Sequence, residues 1–169
     1  MNARTHLSRA LAALTVFLAL YQADGSALAQ GTTAFAAHYT TGSLSAQEQS
    51  AGNLLNSDRV RYNLAPLVID PELCRIARIK SEDMRDNQYF AHTSPSYGDV
   101  RNMLDHFGYR YSAASENIAR HATVEKSQAA FLSSPAHRRN VLSSSFTRAG
   151  VGVATDKNGY VYLTQIFCR

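Results

Sequence analysis

The sequence predicts an α+β fold, and three observations carry that prediction. Helix-start signals recur through the first part of the chain beyond residue 44. A hairpin pattern closes the chain, with alternating segments on either side of Asp156-Lys157-Asn158-Gly159. The regular strand–helix alternation that builds a doubly wound parallel sheet is missing.

The elements follow in order. Residues 1–29 have the three parts of an export signal: Arg4 and Arg9, then uncharged apolar Ala10 to Leu20, then small residues at Ala27-Leu28-Ala29. The apolar run is 11 residues long, short of the roughly 20 that cross a bilayer. Cleavage before Gln30 is therefore expected rather than a stable transmembrane anchor, and the product is expected to be secreted or periplasmic. Residues 30–44 are rich in Gly, Thr, Ser and Ala without a period and read as a flexible leader. One domain remains, over 45–169.

Ser45-x-x-Glu48 has the form of a capping box, and its helix should stop before Leu64-Ala65-Pro66, since the residue before proline leaves the helical region. Leu67-Val68-Ile69 is a short extended link. Asp70-Pro71-Glu72 starts a second helix with an Asp cap and a first-position Pro. Leu73, Ile76, Ala77 and Met84 form its apolar face, interrupted by Lys80. After a loop from Asn87 to Gly98, a third helix runs from Asp99 to Phe107 and stops at Gly108. A fourth spans Thr123 to Leu132, and Ser134-Pro135 opens a short turn to Leu142. Thr147 to Thr155 and Tyr160 to Cys168 are the two strands; the second sets Val161, Leu163, Gln165 and Phe167 on one face.

Composition narrows the function classes. The chain has 17 basic and 13 acidic residues. Loss of Arg4, Arg9 and Asp24 with the signal leaves a net charge near +3. The basic residues are scattered, with no stripe interleaved with aromatics, which argues against nucleic acid. Cys74 and Cys168 are the two cysteines. An oxidising compartment favours a disulfide between them, stabilising by roughly 4–5 kcal/mol in the chain-entropy model; two separate buried thiols are the alternative.

Among the six histidines, His92 and His137 stand in segments with no burial pattern of their own. If Ser134 caps the short helix, His137 lies in its first turn, where the dipole favours neutral imidazole, the form that binds metal or acts as a base. Phe90-Ala91-His92-Thr93-Ser94-Pro95, Glu116-Asn117-Ile118-Ala119, the block from Phe131 through Ser134-Pro135-Ala136-His137-Arg138-Arg139-Asn140 to Leu142, Gly150-Val151-Gly152 and Tyr162 to Phe167 occur in this order. Together they resemble the CAP superfamily (cysteine-rich secretory, antigen 5 and pathogenesis-related proteins), with the bacterial SCP-like extracellular branch the nearest likeness, over about residues 48–169.

The resemblance implies an α-β-α sandwich with a central antiparallel sheet between helical layers. It implies a cleft containing His92, Glu116 and His137, with Ser134 at the place of a second acid and Phe131 at that of a tryptophan. Two imidazoles and a carboxylate would suit Zn²⁺ or another divalent cation with an open position, so His92, His137 and Glu116 are the candidate metal ligands; a metal-free hydrogen-bond network is the alternative, and no cofactor is required. The family fold is associated with binding sterols, fatty acids or partner proteins. The leading expectation is therefore a monomeric, non-enzymatic binding module for a lipid, cell-envelope or protein ligand. Its rival is a metal-assisted hydrolase of peptides or wall polymers. A serine hydrolase using Ser94 or Ser134 is a third reading, without a nucleophile elbow to support it. Tyr89, Tyr97, Tyr109 and Tyr111 either line a groove or pack the core and rim.

Overall fold

The computed structural model describes residues 44–169; the expected signal at 1–29 and all of the leader but Leu44 lie outside the described residues. Leu44 itself packs against the core. The elements are α1 (Ala46–Arg61), β1 (Val68–Ile69), α2 (Pro71–Asp86), α3 (Val100–His106), β2 (Ala114–His121), α4 (Val124–Ser133), α5 (Pro135–Val141), β3 (Arg148–Thr155) and β4 (Val161–Cys168).

The helix starts form where local chemistry demands them. Ser45 and Glu48 make the reciprocal capping box of α1. Asp70 accepts from the Glu72 and Leu73 amides at the start of α2. Asp99 and Asn102 form a second capping box at α3, and Thr123 caps α4. Gly159, at φ 82, closes the β3–β4 turn by donating to the Asp156 carbonyl, a conformation that glycine adopts without steric cost.

The sheet order is β1-β3-β4-β2. β4 pairs antiparallel with both β3 and β2, whereas β1 joins β3 in parallel through Val68 and Ile69. The sheet is thus mixed rather than wholly antiparallel, because the expected extended link adds itself as a two-residue edge strand. β2 is a strand that the sequence pattern does not announce.

Helices cover both faces. Val151, Val153, Leu163 and Phe167 share a core with Ala51 and Leu55 of α1, Phe131 of α4 and Val141 of α5. On the opposite face Ile166 packs with Leu73, Ile76 and Ala77 of α2 and Met103 and Leu104 of α3. Every residue of β4 is buried as a result, as expected of a strand covered on both sides. Its polar residues are satisfied internally: Thr164 accepts from Ser81, and Gln165 donates to Gln128, which donates to Asp58. Close seating of α2 on β3 depends on glycine: an added Cβ at Gly152 would stand 2.0 Å from the Arg78 nitrogen, and one at Gly150 2.2 Å from the Leu73 carbonyl carbon.

Beyond β1, the outer edge of β3 is closed by side chains. The Val151 amide donates to Cys74 Sγ at 3.3 Å and the Val153 amide to Glu48 Oε1 at 3.3 Å. Glu48 is fully buried and also takes two hydrogen bonds from Arg78, each 2.6 Å.

The expected Cys74–Cys168 disulfide is corrected: both cysteines are free and buried. Cys74 belongs to the core of the α1 side and uses its sulfur on the β3 edge, while Cys168 belongs to the core beneath α2 and α3. Among the described residues no helix is long and apolar enough to cross a membrane.

Candidate functional site

The site forms at the outer edge of the sheet, around β2. Glu116 and Asn117 are neighbours on this strand and point to opposite faces. Glu116 pairs across with Ile166, on the α2 side, and Asn117 with Gln165, on the α4 side. The edge therefore sends one functional side chain into each layer.

On the α2 side the loop after the helix carries His92 over Glu116. His92 Nδ1 lies 2.8 Å from Glu116 Oε1; the imidazole side chain is 56% exposed and the carboxylate side chain 4%. With the carboxylate accepting, Nδ1 carries the proton, which leaves Nε2 as the acceptor of the neutral ring. Glu116 Oε2 is buried and has no hydrogen-bond partner among the described residues, an arrangement uncommon enough to require an explanation.

The loop is tied down from below. Lys80, the apparent interruption of the α2 face, is 1% exposed. Its ammonium donates to the Ala91 carbonyl at 2.9 Å and to the Tyr89 hydroxyl at 3.1 Å. Burial pushes the Lys80 ammonium below its ordinary range, against the opposing pull of the Glu116 and Asp83 carboxylates. Tyr89 in turn donates to Asp83. Burial alone would raise Asp83, but donors from Tyr89, Ser94, Asn87 and Ser96 hold its carboxyl below the ordinary range.

On the other side, α5 is docked by its own backbone. Asn117 Nδ2 donates to the His137 carbonyl at 3.1 Å, and Asn140 Nδ2 donates to Asn117 Oδ1 at 2.8 Å and to the Glu116 carbonyl at 3.3 Å. Arg59 donates to the Val141 and Ser143 carbonyls at the far end of α5, occupying groups that a helix C-terminus leaves open. The His137 ring packs on Phe131, centroids 5.4 Å apart, and faces His92 at 6.4 Å. Burial first, and then the neighbouring His92, lower the His137 pKa. The neutral form is favoured, with desolvation the dominant cause.

His92, Glu116 and His137 thus meet around the strand edge. Ser134 occupies the N-cap position of α5, but its side chain makes no capping hydrogen bond. Ser94 is buried, donates to Asp83 and accepts the amides of Ser96 and Tyr97. It is a loop-shaping hydroxyl rather than a nucleophile paired with a histidine. Tyr97, Tyr109 and Tyr111 pack against the α2–α3 core, and Tyr89 packs beside Met84, Ile118 and Tyr162.

The expected three-ligand metal set does not fit this geometry. Among the described residues no group of three His, Cys, Asp or Glu side chains is arranged to hold a metal ion. The hydrogen bond between His92 Nδ1 and Glu116 Oε1 makes the carboxylate an orienting partner of the imidazole.

Comparison with known proteins agrees with this architecture. Residues 53–167 match the family model described as CAP, the cysteine-rich secretory protein family. The chain belongs to the CAP family. It is 44% identical over 124 residues to the Bacillus subtilis protein YkwD, covering 73% of this chain and 48% of YkwD. It is 36% identical over 127 residues to the Bacillus subtilis membrane protein YlbC, covering 72% of this chain and 34% of YlbC. The chain therefore spans between a third and a half of the curated relatives it matches. The crystal structure of an extracellular protein containing an SCP domain from Bacillus anthracis superposes with a TM-score of 0.68 at 33% identity, over 76% of this chain and 45% of that one. An outer surface protein from Borrelia burgdorferi shares the fold at TM-score 0.66 and 16% identity, over 72% of this chain and 90% of that one.

Proposed function

We propose that the chain is an extracytoplasmic binding module whose cleft at His92, Glu116 and His137 takes a lipid, cell-envelope or protein ligand, and that it is not itself an enzyme. One observation carries this reading: His92 is open to solvent while the carboxylate that orients it is buried. Such a pair presents an oriented acceptor from a rigid support, the arrangement a recognition site needs. The extracellular Bacillus anthracis relative supports the compartment.

The test is calorimetric titration with palmitate and with solubilised cell-wall fragments, comparing the wild type with His92→Ala. His92 is exposed, so the variant keeps its fold, which circular dichroism checks. Loss of binding is expected. Undiminished binding in the variant, or no binding to any ligand in the wild type, overturns the reading.

The rival is a metal-assisted hydrolase, favoured only by the approach of the two imidazoles to 6.4 Å. Metal content after mild purification, followed by hydrolysis assays with and without chelator, decides between the two readings.

A further inference from the structure

A concavity of about 670 Å³, apart from the His92 site, lies between the C-terminal end of α2, the loop after it and the β3–β4 turn. Its volume falls in the range of small-molecule sites, about 300–1,000 Å³. We propose that this groove binds an acidic oligosaccharide, a carbohydrate chain bearing carboxylates. The proposal rests on the binding-module reading for its compartment but assigns a different surface.

The lining chemistry selects the class. The apolar part of the wall is aromatic, from Tyr89, Phe90 and Tyr162, with no Leu, Ile, Val or Met. Phe90 is 51% exposed and presents an open phenyl ring to the groove. A pyranose offers a face of C–H groups that stacks on an open ring such as that of Phe90, and a rim of hydroxyls that needs paired donors and acceptors. An acyl chain would instead call for aliphatic walls.

The rim groups are present and already oriented. Arg85 pairs with Asp86 at 2.6 Å and Arg120 with Asp156 at 2.9 Å. Each pair sets a guanidinium beside a carboxylate, so adjacent hydroxyls of one sugar can accept from one and donate to the other. The Arg120 guanidinium is held over the rings of Tyr160 and Tyr162, 4.7 and 5.1 Å from their centroids. The side-chain amides of Gln88 and Asn158 line the same groove and have no hydrogen bond among the described residues. Because each arginine has its own carboxylate, the groove is not a phosphate-binding cluster. Lys157 adds one further positive charge, which favours a sugar carrying a carboxylate over a neutral one.

The groove and the cleft share a strand and a loop. Arg120 follows Glu116 by four residues on β2 and faces the same side, about 13 Å further along the strand. Tyr89 and Phe90 of the groove and His92 of the cleft belong to one short segment, which Lys80 holds through Tyr89 and Ala91. This layout suits a chain-like ligand lying along the sheet edge.

The test is a ¹H–¹⁵N NMR titration of the protein with tetragalacturonate, cellotetraose, tetraglutamate and dodecanoate. Tetragalacturonate is expected to shift the amides of Phe90, Arg120 and Lys157. Phe90→Ala should weaken its affinity at least tenfold with the spectrum otherwise retained. Lys157→Glu, on the exposed turn, should weaken tetragalacturonate more than cellotetraose. Absence of groove shifts with either oligosaccharide overturns the proposal. So do equal shifts with tetraglutamate, which would signify simple anion attraction, and occupation of the groove by dodecanoate. Shifts confined to the surroundings of His92 and His137 also overturn it, while leaving the cleft reading in place. Groove shifts without any ligand response at the cleft support it on its own.

Discussion

His92 Nδ1 stands 2.8 Å from Glu116 Oε1, and the second oxygen of Glu116 is buried without a partner among the described residues. The pair is asymmetric: the carboxylate is committed to orienting the imidazole, and the imidazole is free to meet something outside. Removing the acceptor should release the tautomer. In the wild type, side-chain ¹⁵N shifts of His92 should report a protonated Nδ1 in the neutral ring. In Glu116→Leu the two tautomers should mix. An unchanged tautomer in the variant would show that Glu116 does not set it.

His137 gives a pH dependence with a defined sign. Burial and the nearby His92 lower its pKa in the folded state, so the unfolded chain takes up the proton more readily. Stability is then intact above the unfolded value of about 6.5 and is lost as pH falls below it. Urea unfolding at pH 7.5 and pH 5.5 should show a larger loss in the wild type than in His137→Gln. Equal losses would remove His137 as the source.

Lys80 holds the loop that presents His92. Lys80→Met keeps the length of the side chain but removes the hydrogen bonds to Ala91 and Tyr89 and leaves the Asp83 and Glu116 carboxylates without their buried cation. A loss of about 3 kcal/mol is expected, the scale for losing two hydrogen bonds donated by a charged group. Hydrogen exchange should accelerate first at residues 89–92. A uniform loss across the domain would place the role of Lys80 in the global fold instead.

Gly152→Ala tests the seating of α2. The added Cβ would overlap the α2 backbone at Arg78 and Ala77, which cannot yield as a flexible side chain can. A loss of about 3 kcal/mol is expected, a fall in Tm of roughly 10 °C. Near-wild-type melting would mean that α2 and β3 are less tightly apposed than described.

The thiols provide a chemical check. Burial pushes Cys74 up to about 12 and Cys168 up to about 11, so both remain protonated and unreactive in the folded protein. A thiol reagent should find none in the native protein and two after unfolding without reductant. Zero after unfolding would restore the disulfide.

What is legible in the sequence is what local chemistry decides. Ser45, Asp70, Asp99 and Thr123 cap helices through contacts within a few residues, and the glycine turn at Gly159 is equally local. β2 is not legible. Its run Ala114–His121 buries Glu116 and Asn117 side by side, because each face of an edge strand meets a different helix layer, and the alternation that marks a half-buried strand is lost. Lys80 looks like a break in an apolar face because its partners come from a loop that folds back beneath it. His92, Glu116 and His137 stand out by motif likeness, and they meet at the strand edge. Asn117 and Asn140 lie within the same motif blocks, but their positioning role is not legible there, and Asp83 carries no sequence signal at all, since the partners of all three are set by tertiary docking.

The closure of the β3 edge has a consequence beyond the domain's own stability. An open strand edge is a template on which a second chain can add, the first step of strand-to-strand aggregation. Here Cys74 and Glu48 take the amides of Val151 and Val153 that a foreign strand would seek. Cys74 acts in that position as a stopper. Exchanging it for alanine would leave the buried Val151 amide without its acceptor, so a single sulfur atom serves both the packing of the core and the closure of the edge.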